Sequence, residues 1–478
     1  MTRFLFRALA AVCVLFALGY LALAFARVRY PFELEWQEGG MLDHVLRVLD
    51  GRPLYAEPSL EFIAFPYTPL YFHASALACK VFGVGLSALR IVSILASVAC
   101  FALLFRFAQR AAGGALAGLF AIGLFAATYR FSGAWLDVGR VDSLFLALTL
   151  GGAYALRSTR GVPGAVIAAA LLFLAFFTKQ SALGVALLLF VPAVLQSRAR
   201  GTAYALTFGL LFVGSTLWLE QRTGGWYRWY VFELLAGHAW VPAQVTGFWL
   251  ELGAGVGLAL AIVVWARLGL PRRTGSEGPS VLAFTALGLV LVAWVSRAHR
   301  GGYDNAFLPA CAALAMLFGV AVERARIIGG RQAVLVGLAA LLQLAWLAFD
   351  PRAQVPTAAD RAAGERVVRT LADVAGPVFV PGHGYLARLA GKASCAHEMA
   401  INDLLASDDP QAAAAFVRSL ESALEARRWS AIVLDQPWDD LPFLARYYHP
   451  PTPLFGTGDA FMPVTGAASR PALLYRAR

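Results

Sequence analysis

Long apolar runs separated by short polar segments fill the first 350 residues of the chain. A run of about 20 apolar residues is long enough to cross the hydrocarbon core of a bilayer as an α-helix. The pattern predicts eleven such spans, at about residues 4–26, 84–105, 112–129, 141–156, 162–178, 181–197, 203–219, 247–266, 281–297, 305–322 and 332–349. Residues 24–26 imitate a signal-peptide cleavage site, but the first run is longer than a signal core of about 7 to 15 residues. We interpret it as an uncleaved anchor.

The pattern changes at Asp350-Pro351, where charges become frequent and long apolar runs stop. Helical patterns near 359–374 and 410–427 alternate with short apolar strands at 378–380 and 431–434. This alternation is typical of a small α/β domain. The sequence therefore predicts an α-helical polytopic membrane domain at 1–350, with a long acidic outer loop at 28–69, followed by a water-soluble α/β domain at 351–478.

Composition excludes several classes of protein. Hydrophobic residues make up 59% of the chain and charged residues 14%, against about 25% charged residues in soluble domains. The chain is therefore not a soluble globule. Its net charge of +11 comes with no basic, aromatic-rich face or nucleic-acid motif, so no nucleic-acid partner is predicted. The five cysteines have no paired spacing and indicate neither a disulfide framework nor a thiolate metal site.

The distribution of arginines predicts the orientation of the spans. Short cytoplasmic loops retain Lys and Arg, whereas exported loops lose them. If the N-terminus is cytoplasmic, every even-numbered span ends on a basic loop, and these loops carry Arg106 and Arg110, Arg157 and Arg160, Arg198 and Arg200, Arg267 with Arg272 and Arg273, and Arg324 with Arg326 and Arg331. The loops at 28–69 and 220–246 and the tail then face the extracytoplasmic side, which we expect to carry the function.

Three acids are candidates for chemistry. Glu35 and Glu38 are three residues apart, so on a helix their carboxylates would share a face and could hold a base or a metal. Alternatively they are solvated acids on a helix that lies in the membrane interface. Asp142 opens the fourth span, where an unpaired acid is costly. It is either a functional group or one half of a salt bridge with Arg140 or Lys179.

Candidate phosphate or metal contacts lie on the same predicted side of the membrane. They are Lys179, His238, Arg297, Arg300, Tyr303 and Asn305. Two arginines, glycines and an amide in the turn at 297–305 could cradle a phosphate. The alternatives are ordinary: a lysine that reaches the interface, a structural histidine and a polar turn.

The order of these features carries a resemblance. An anchor helix is followed by an outer loop with Glu35 and Glu38, by Tyr67-Thr68-Pro69-Leu70-Tyr71 before a helix, by Asp142 at the fourth span, and by an outer tail. This order resembles the GT-C superfamily of polyprenyl-phosphate-dependent membrane glycosyltransferases. The branch it resembles contains the protein O-mannosyltransferases and the lipid A aminoarabinose transferase. The resemblance covers about residues 5–325.

The resemblance implies a GT-C fold of about eleven transmembrane helices in a cell membrane such as the bacterial inner membrane. It also implies sugar transfer, with inversion, from a polyprenyl-phosphate donor among the membrane lipids to a hydroxyl of a lipid, glycan or protein. Glu35 would accept the proton of the acceptor, with Glu38 or Asp142 assisting. No cofactor is required, and a divalent metal is left open.

The sequence departs from the family pattern at one position. Tyr67 stands where some relatives carry a phosphate-binding lysine, so another cation must contact the lipid phosphate. We expect Lys179, Arg297 and Arg300 to do so. The other residues expected around the substrate are Arg140, His238, Tyr303, Asn305, Tyr67 and Tyr71.

Other functions stay open at this point. A transporter or flippase would place charged residues near the membrane midplane and carry structural repeats, whereas here the charges cluster at one surface. A lipid-linked glycan ligase or polymerase, or a non-catalytic scaffold, is a further alternative. Formation of a new glycosidic bond from a polyprenyl-phosphate sugar would distinguish the transferase from a transporter and from a scaffold.

Overall fold

The computed structural model of the protein describes residues 2–269, 281–438, 444–456 and 461–478, so the predicted cytoplasmic arginines Arg272 and Arg273 lie outside the described residues. Helices dominate the region before residue 350. They are α1 (Thr2–Arg27), α2 (Glu38–Leu49), α3 (Leu70–Phe82), α4 (Leu86–Ala112), α5 (Ala115–Ala127), α6 (Asp142–Ser158), α7 (Gly161–Phe176), α8 (Ala182–Gln196), α9 (Arg198–Thr223), α10 (Trp226–Arg228), α11 (Leu234–Ala236), α12 (Pro242–Gly269), α13 (Val281–Ala298), α14 (Leu308–Ile328) and α15 (Gly330–Trp346). A π-helical turn at Trp229–Glu233 precedes α11, and a 3₁₀ turn at Asp304–Phe307 precedes α14.

Each predicted span coincides with a helix, namely α1, α4 to α9 and α12 to α15. Among the described residues, six helices are long and apolar enough to cross a membrane: α1, α4, α9, α12, α13 and α14 with its preceding turn. A seventh is added if α15 and the helix that follows it, bent by 52°, form one span. The chain is thus a multi-pass membrane protein. The count of eleven is not confirmed, because α5, α6, α7 and α8 have only 13, 17, 16 and 15 residues.

Helix α14 lies at the centre of the helical region and contacts α4, α5, α12, α13 and α15. Small residues allow this packing, since a Cβ at Gly319 would clash with the carbonyl oxygen of Ala117 in α5. The N-terminal end of α14 and the turn before it approach the first turn of α6, where Asn305 reaches Asp142. The packing of α14 therefore brings one predicted site residue to another.

A buried ion pair fixes the loop that precedes α6. Arg27, the last residue of α1, donates to both carboxylate oxygens of Asp137 at 2.6 and 2.7 Å. It also donates to the backbone carbonyls of Ala134 and Gln354. Removing one partner of a buried pair costs about 3 to 5 kcal/mol. The loop that carries Arg140 is therefore held firmly to the end of α1.

The tail combines helices with one sheet. After a 3₁₀ turn at Pro351–Gln354, its elements are α16 (Ala358–Ala372), β1 (Val378–Phe379), α17 (Gly384–Leu389), α18 (Glu398–Leu405), α19 (Pro410–Glu425), β2 (Ala431–Leu434), α20 (Leu444–Tyr447), β3 (Thr452–Pro453) and β4 (Leu473–Arg476). The strand order is β1-β2-β4-β3, with β1 parallel to β2 and the other pairs antiparallel. The two strands expected from the sequence are thus neighbours, and their carboxyl ends lie at the same edge.

Candidate active site

The two glutamates of the acidic loop are buried. Glu35 and Glu38 are both 0% exposed, so the interpretation of these residues as solvated acids is wrong. Glu35 lies before α2, which begins at Glu38. The expectation that both carboxylates share one face of a helix is therefore also wrong. Each carboxylate is instead held by its own arginine, Glu35 by Arg140 and Glu38 by Arg90.

Both oxygens of Glu38 are engaged. Arg90 of α4 donates to them at 2.9 and 2.6 Å, and two backbone N–H groups donate at 2.6 and 2.7 Å. Burial acts to raise the pKa of Glu38, but Arg90 and these N–H groups outweigh burial and hold the pKa below its usual value. Arg90 also donates to the carbonyls of Tyr30 and Phe32. A carboxylate has about four lone-pair sites, and these hydrogen bonds occupy all of them on Glu38. Glu38 is therefore suited to positioning the acidic loop.

Glu35 has one engaged oxygen and one oxygen without a partner. Its Oε2 accepts from Arg140 at 2.6 Å and from the backbone N–H of Gln37 at 3.2 Å. Its Oε1 has no hydrogen-bond partner among the described residues. Burial raises the pKa of Glu35 to about 7, although Arg140 acts in the opposite direction. A carboxyl group with a pKa near neutrality suits a general base.

Arg140 connects Glu35 to the aromatic stretch before α3. Its second terminal nitrogen donates to the Tyr67 hydroxyl at 2.9 Å, and its guanidinium lies 5.4 Å from the centre of the Trp135 ring. The Nε of Arg140 is buried and has no partner in the part of the chain that the structure describes. Tyr67 stands where the resemblance places a lysine. The cation that contacts the Tyr67 hydroxyl is thus Arg140, which the sequence did not single out for this place.

Asp142 pairs with Lys179. The lysine Nζ lies 2.7 Å from Asp142 Oδ1, and the Asn305 amide donates to the same oxygen at 3.2 Å. Of the two partners expected for Asp142, the structure therefore selects Lys179 and not Arg140. The other carboxylate oxygen, Oδ2, is buried without a hydrogen-bond partner among the described residues. Asp142, Lys179 and Asn305 together line a small cavity between α6, α13 and α14.

The candidate residues in the turn between α13 and α14 differ in their contacts. Arg297 pairs with Glu251 at 2.9 Å and donates to a backbone carbonyl of the turn at 2.7 Å. Arg300 is exposed. The expected contacts of Arg297 and Arg300 with the lipid phosphate stay predictions. Tyr303 is 40% exposed. Burial, followed by the negative charges of Glu35 and Asp304, raises the pKa of Tyr303.

Two predicted residues have partners elsewhere. His238 lies 3.3 Å from Asp403 of α18, so it contacts the tail and does not join the acids. Tyr71 is buried in α3 and donates to the backbone carbonyl of Leu89 at 3.1 Å. Leu89 lies in α4, so the Tyr71 side chain joins α3 to α4.

A histidine of the tail was missed by the sequence analysis. His383 follows β1 and Asp435 follows β2, so the parallel strand ends bring them together at 3.2 Å. The other ring nitrogen of His383 lies 2.7 Å from Glu33, two residues before Glu35. Burial acts to lower the pKa of His383, but Asp435 and Glu33 outweigh it and raise the pKa to about 10. Residues after strand ends are the signal that could have found this contact.

A second tail segment covers Glu35. Thr465 donates its backbone N–H to the Leu34 carbonyl at 3.2 Å, and its hydroxyl donates to the Gly133 carbonyl. Gly466 has φ +78°, and a Cβ there would lie 2.9 Å from Glu35 Oε1. Only a residue without a side chain fits so close in this backbone conformation. The tail is therefore part of the wall around Glu35.

No cluster of three or more His, Cys, Asp or Glu side chains with metal-binding geometry occurs in residues 2–269, 281–438, 444–456 and 461–478. The three candidate acids each pair with a cationic side chain: Glu38 with Arg90, Glu35 with Arg140 and Asp142 with Lys179. This arrangement leaves the question of a divalent metal where the sequence left it.

Comparison of the structure with solved structures finds relatives in fold. ArnT from Cupriavidus metallidurans, a lipid A aminoarabinose transferase solved with undecaprenyl phosphate, matches with a TM-score of 0.60 and 14% identity over 97% of each chain. The oligosaccharyltransferase AglB from Archaeoglobus fulgidus, solved with an inhibitory peptide and dolichol phosphate, matches with a TM-score of 0.52 and 13% identity over 94% of this chain and 73% of AglB. No protein-family model and no curated protein sequence matches the chain. The predicted resemblance is confirmed for the fold: the chain folds like the GT-C membrane glycosyltransferases.

Proposed function

We propose that the protein transfers a sugar from a polyprenyl-phosphate donor to a hydroxyl acceptor. The observation that carries the proposal is Glu35, a buried carboxyl group with a pKa of about 7 and an oxygen that has no partner among the described residues. It lies beside the buried Arg140 in a fold shared with an ArnT that was solved with undecaprenyl phosphate. A base beside a cation is the arrangement that such a transfer requires.

In the proposed reaction, the acceptor oxygen attacks the anomeric carbon of the donor sugar and inverts it. The acceptor O–H proton passes to the carboxylate of Glu35. The bond between the anomeric carbon and the phosphate oxygen breaks, and its electron pair leaves with the polyprenyl phosphate. Arg140 stabilises the charge that grows on the phosphate, because preorganised donors are most effective in a site shielded from water.

Lys179 is the second proposed contact of the lipid phosphate. Its side chain is 19% exposed. It pairs with Asp142, the first residue of α6, next to the small cavity. An incoming phosphate oxygen would compete with Asp142 for this ammonium group. Asp142 thereby serves as the counter-charge that holds Lys179 in place before the donor binds, which is the assisting role that we propose for this acid.

We also propose the placement of the site in the membrane. The eleven helices α1, α4 to α9 and α12 to α15 would all cross it. The acidic loop, the tail and the acids lie at the opposite end from the basic loops. The positive-inside rule then puts Glu35 and the tail on the extracytoplasmic side of a cell membrane.

The test is sugar transfer by purified protein in lipid nanodiscs. Several radiolabelled polyprenyl-phosphate sugars are offered with candidate hydroxyl acceptors. The Glu35→Gln variant keeps the size of the side chain but removes the base, so transfer should fall about 100-fold or more. Glu57→Gln alters an exposed acid of the same loop and should leave transfer unchanged. Near-normal transfer by Glu35→Gln, with loss in Asp142→Asn, would exchange the roles of these acids.

A further inference from the structure

The tail contacts the chain on both sides of Glu35, at three residues that lie within two positions of it. The contacts are His383 with the Glu33 carboxylate at 2.7 Å, the N–H of Thr465 with the Leu34 carbonyl at 3.2 Å, and Nε2 of His397 with the Trp36 carbonyl at 3.2 Å. Two of them end on backbone carbonyls, whereas His383 contacts a side chain. A substitution at His383 can therefore remove one contact and leave the backbone contacts in place.

The Glu33 carboxylate closes the turn that carries Glu35. Its Oε1 accepts the backbone N–H of Gly39 at 3.0 Å, and its Oε2 lies 2.7 Å from Nδ1 of His383. Glu35 lies inside the segment that the hydrogen bond between Glu33 and Gly39 closes. A movement of the Glu33 carboxylate would open this turn and shift Glu35 with it.

Two glycines allow His383 to approach the turn. A Cβ on Gly39, in the first turn of α2, would lie 2.7 Å from the Cβ of Tyr385 in α17. A Cβ on Gly382 would lie 3.0 Å from Oδ1 of Asp435. Both distances are shorter than ordinary carbon contacts of about 3.5 to 4.0 Å. A side chain at either glycine would push the tail away from the acidic loop.

His383 is a buried cation between two carboxylates. Its side chain is 3% exposed, against 6% for Glu33 and 17% for Asp435. With a pKa of about 10, its ring is charged at neutral pH. Two further titratable groups of the tail lie close enough to interact with this charge. Burial and the charge of Asp435 raise the pKa of Glu398, whereas burial lowers the pKa of His397 to about 3 and keeps that ring neutral. His383 thus balances the charge of Glu33.

Loss of this cation would act on the turn through Glu33. Burial raises the pKa of Glu33, and the hydrogen bond with His383 opposes the rise. A buried carboxylate without a charged partner is costly, so it takes up a proton or turns towards water. Either change weakens the hydrogen bond from Gly39 and loosens the turn around Glu35.

We propose that His383 is a positioning residue for sugar transfer: it fixes the Glu33 carboxylate and thereby the turn that holds Glu35 against Arg140. His383 acts through Glu33 and not on the reacting atoms. The inference rests on the proposed function, in which Glu35 is the base. Misplacement of a reacting group by about 1 Å can cost about 100-fold in rate. The tail would therefore set the direction of the base in addition to covering it.

The first measurement is sugar transfer by the full chain in nanodiscs. His383→Gln keeps hydrogen-bonding groups but removes the charge, so kcat should fall roughly 10- to 100-fold. The donor KM should stay within about twofold, because Arg140 and Lys179 are unchanged. The matched control is Arg388→Gln, since Arg388 of α17 joins the tail to the acidic loop through Asp43 at 2.8 Å, outside the turn. Its kcat should stay within about twofold of the wild type.

Two further variants separate positioning from folding. In the double variant Glu33→Gln/His383→Gln the buried carboxylate is gone, and the new amide at position 33 can still accept the N–H of Gly39. The double variant should recover kcat at least about fivefold over His383→Gln. Asp435→Asn is milder, because Asp435 is partly exposed and lies on the far side of His383 from the turn. It should lower kcat about threefold, and it tests the proposal even if His383→Gln does not fold.

The second measurement requires no transfer. Infrared difference spectroscopy without substrate follows the protonation of Glu35, and Glu35→Gln identifies its band. Arg140 acts to lower the pKa of Glu35, and the Gly466 segment still covers a Glu35 that has moved away from Arg140. His383→Gln should therefore raise the pKa of Glu35 by about 0.5 or more. Arg388→Gln should leave it unchanged, because a loss of stability alone does not alter this titration.

Three results would overturn the proposal. The first is wild-type kcat and an unchanged Glu35 titration in a folded His383→Gln protein. The second is an equal loss of kcat in His383→Gln and Arg388→Gln, which would show only that the tail must dock. The third is a double variant that recovers nothing. If the wild type forms no glycosidic bond with any donor, the proposed function fails, and the infrared titration then decides whether His383 positions Glu35.

Discussion

The ionisation of Glu35 makes a quantitative prediction about pH. Burial raises the pKa of this carboxyl group to about 7, and only the carboxylate can accept the acceptor proton. Activity should therefore rise with pH through this value. With a pKa of about 7, roughly a tenth of the enzyme is active at pH 6 and roughly nine tenths at pH 8, so kcat/KM should increase about tenfold between them.

The stability of the fold should change in the opposite direction. A carboxyl group whose pKa is raised on folding favours the folded state while it is protonated. Its stabilising contribution is complete below the unfolded pKa of about 4.3 and is lost as pH rises through the folded value of about 7. The site is therefore expected to become more active and less stable over the same interval.

The assay is kcat/KM for sugar transfer between about pH 5.5 and about pH 10, with Arg140→Gln as the informative variant. Arg140 lies 2.6 Å from Glu35, so its removal should raise the pKa of Glu35 further, by about 1 to 3. The rising limb should move to higher pH by that amount, whatever the loss in maximal rate. Arg52→Ala should leave the limb in place. A flat profile in the wild type, or an unchanged limb in Arg140→Gln, would refute the reasoning.

Four further outcomes are expected. Reporter fusions that are active only outside the cytoplasm, placed after residues 60, 160 and 400, should be on, off and on, and an active fusion at 160 would contradict the topology. Lys179→Gln should raise the donor KM several-fold by removing a phosphate contact, and an unchanged donor KM would exclude that contact. Gly466→Ala should lower kcat at least about tenfold by pushing the tail from Glu35, whereas Gly391→Ala, at φ +73° with open space around it, should only lower the Tm. His383→Ala should lower the free energy of unfolding by about 3 kcal/mol, because it leaves the largely buried Glu33 and the partly buried Asp435 without their partner. Arg428→Ala, at an exposed pair, should lower it by about 1 kcal/mol or less, and thermal unfolding measures both.

The helices of the eleven predicted spans could be predicted from the sequence because each one contains an apolar run, and such runs are local properties. The tail strands at 378–380 and 431–434 were predictable for the same reason. The number of membrane crossings was not, since α5 and α8 are short helices whose placement depends on their neighbours. Hydropathy alone does not distinguish a short crossing helix from one buried inside the protein.

Glu35, Glu38 and Asp142 were predicted as candidate site residues, but their partners were only partly predicted. Arg90 lies in an apolar run, and that position was the available signal that it neutralises a buried acid. Lys179 was named as a partner of Asp142, and the structure confirms the contact. The pairing of Arg140 with Glu35 joins residues more than a hundred positions apart. Spacing along one chain carries no information about such contacts.

The cover over Glu35 has a consequence for the order of assembly. Thr465 and Gly466 are synthesised after every helix of the membrane region, yet they contact residues of the loop that follows α1. Contacts this distant in sequence form late, because a long loop must close before they contribute. During biosynthesis the helices can insert and pack while Glu35 is still uncovered. Enclosure of Glu35 would then be the last event of maturation, and chains that stop before residue 463 would enter the membrane with this carboxyl group unenclosed.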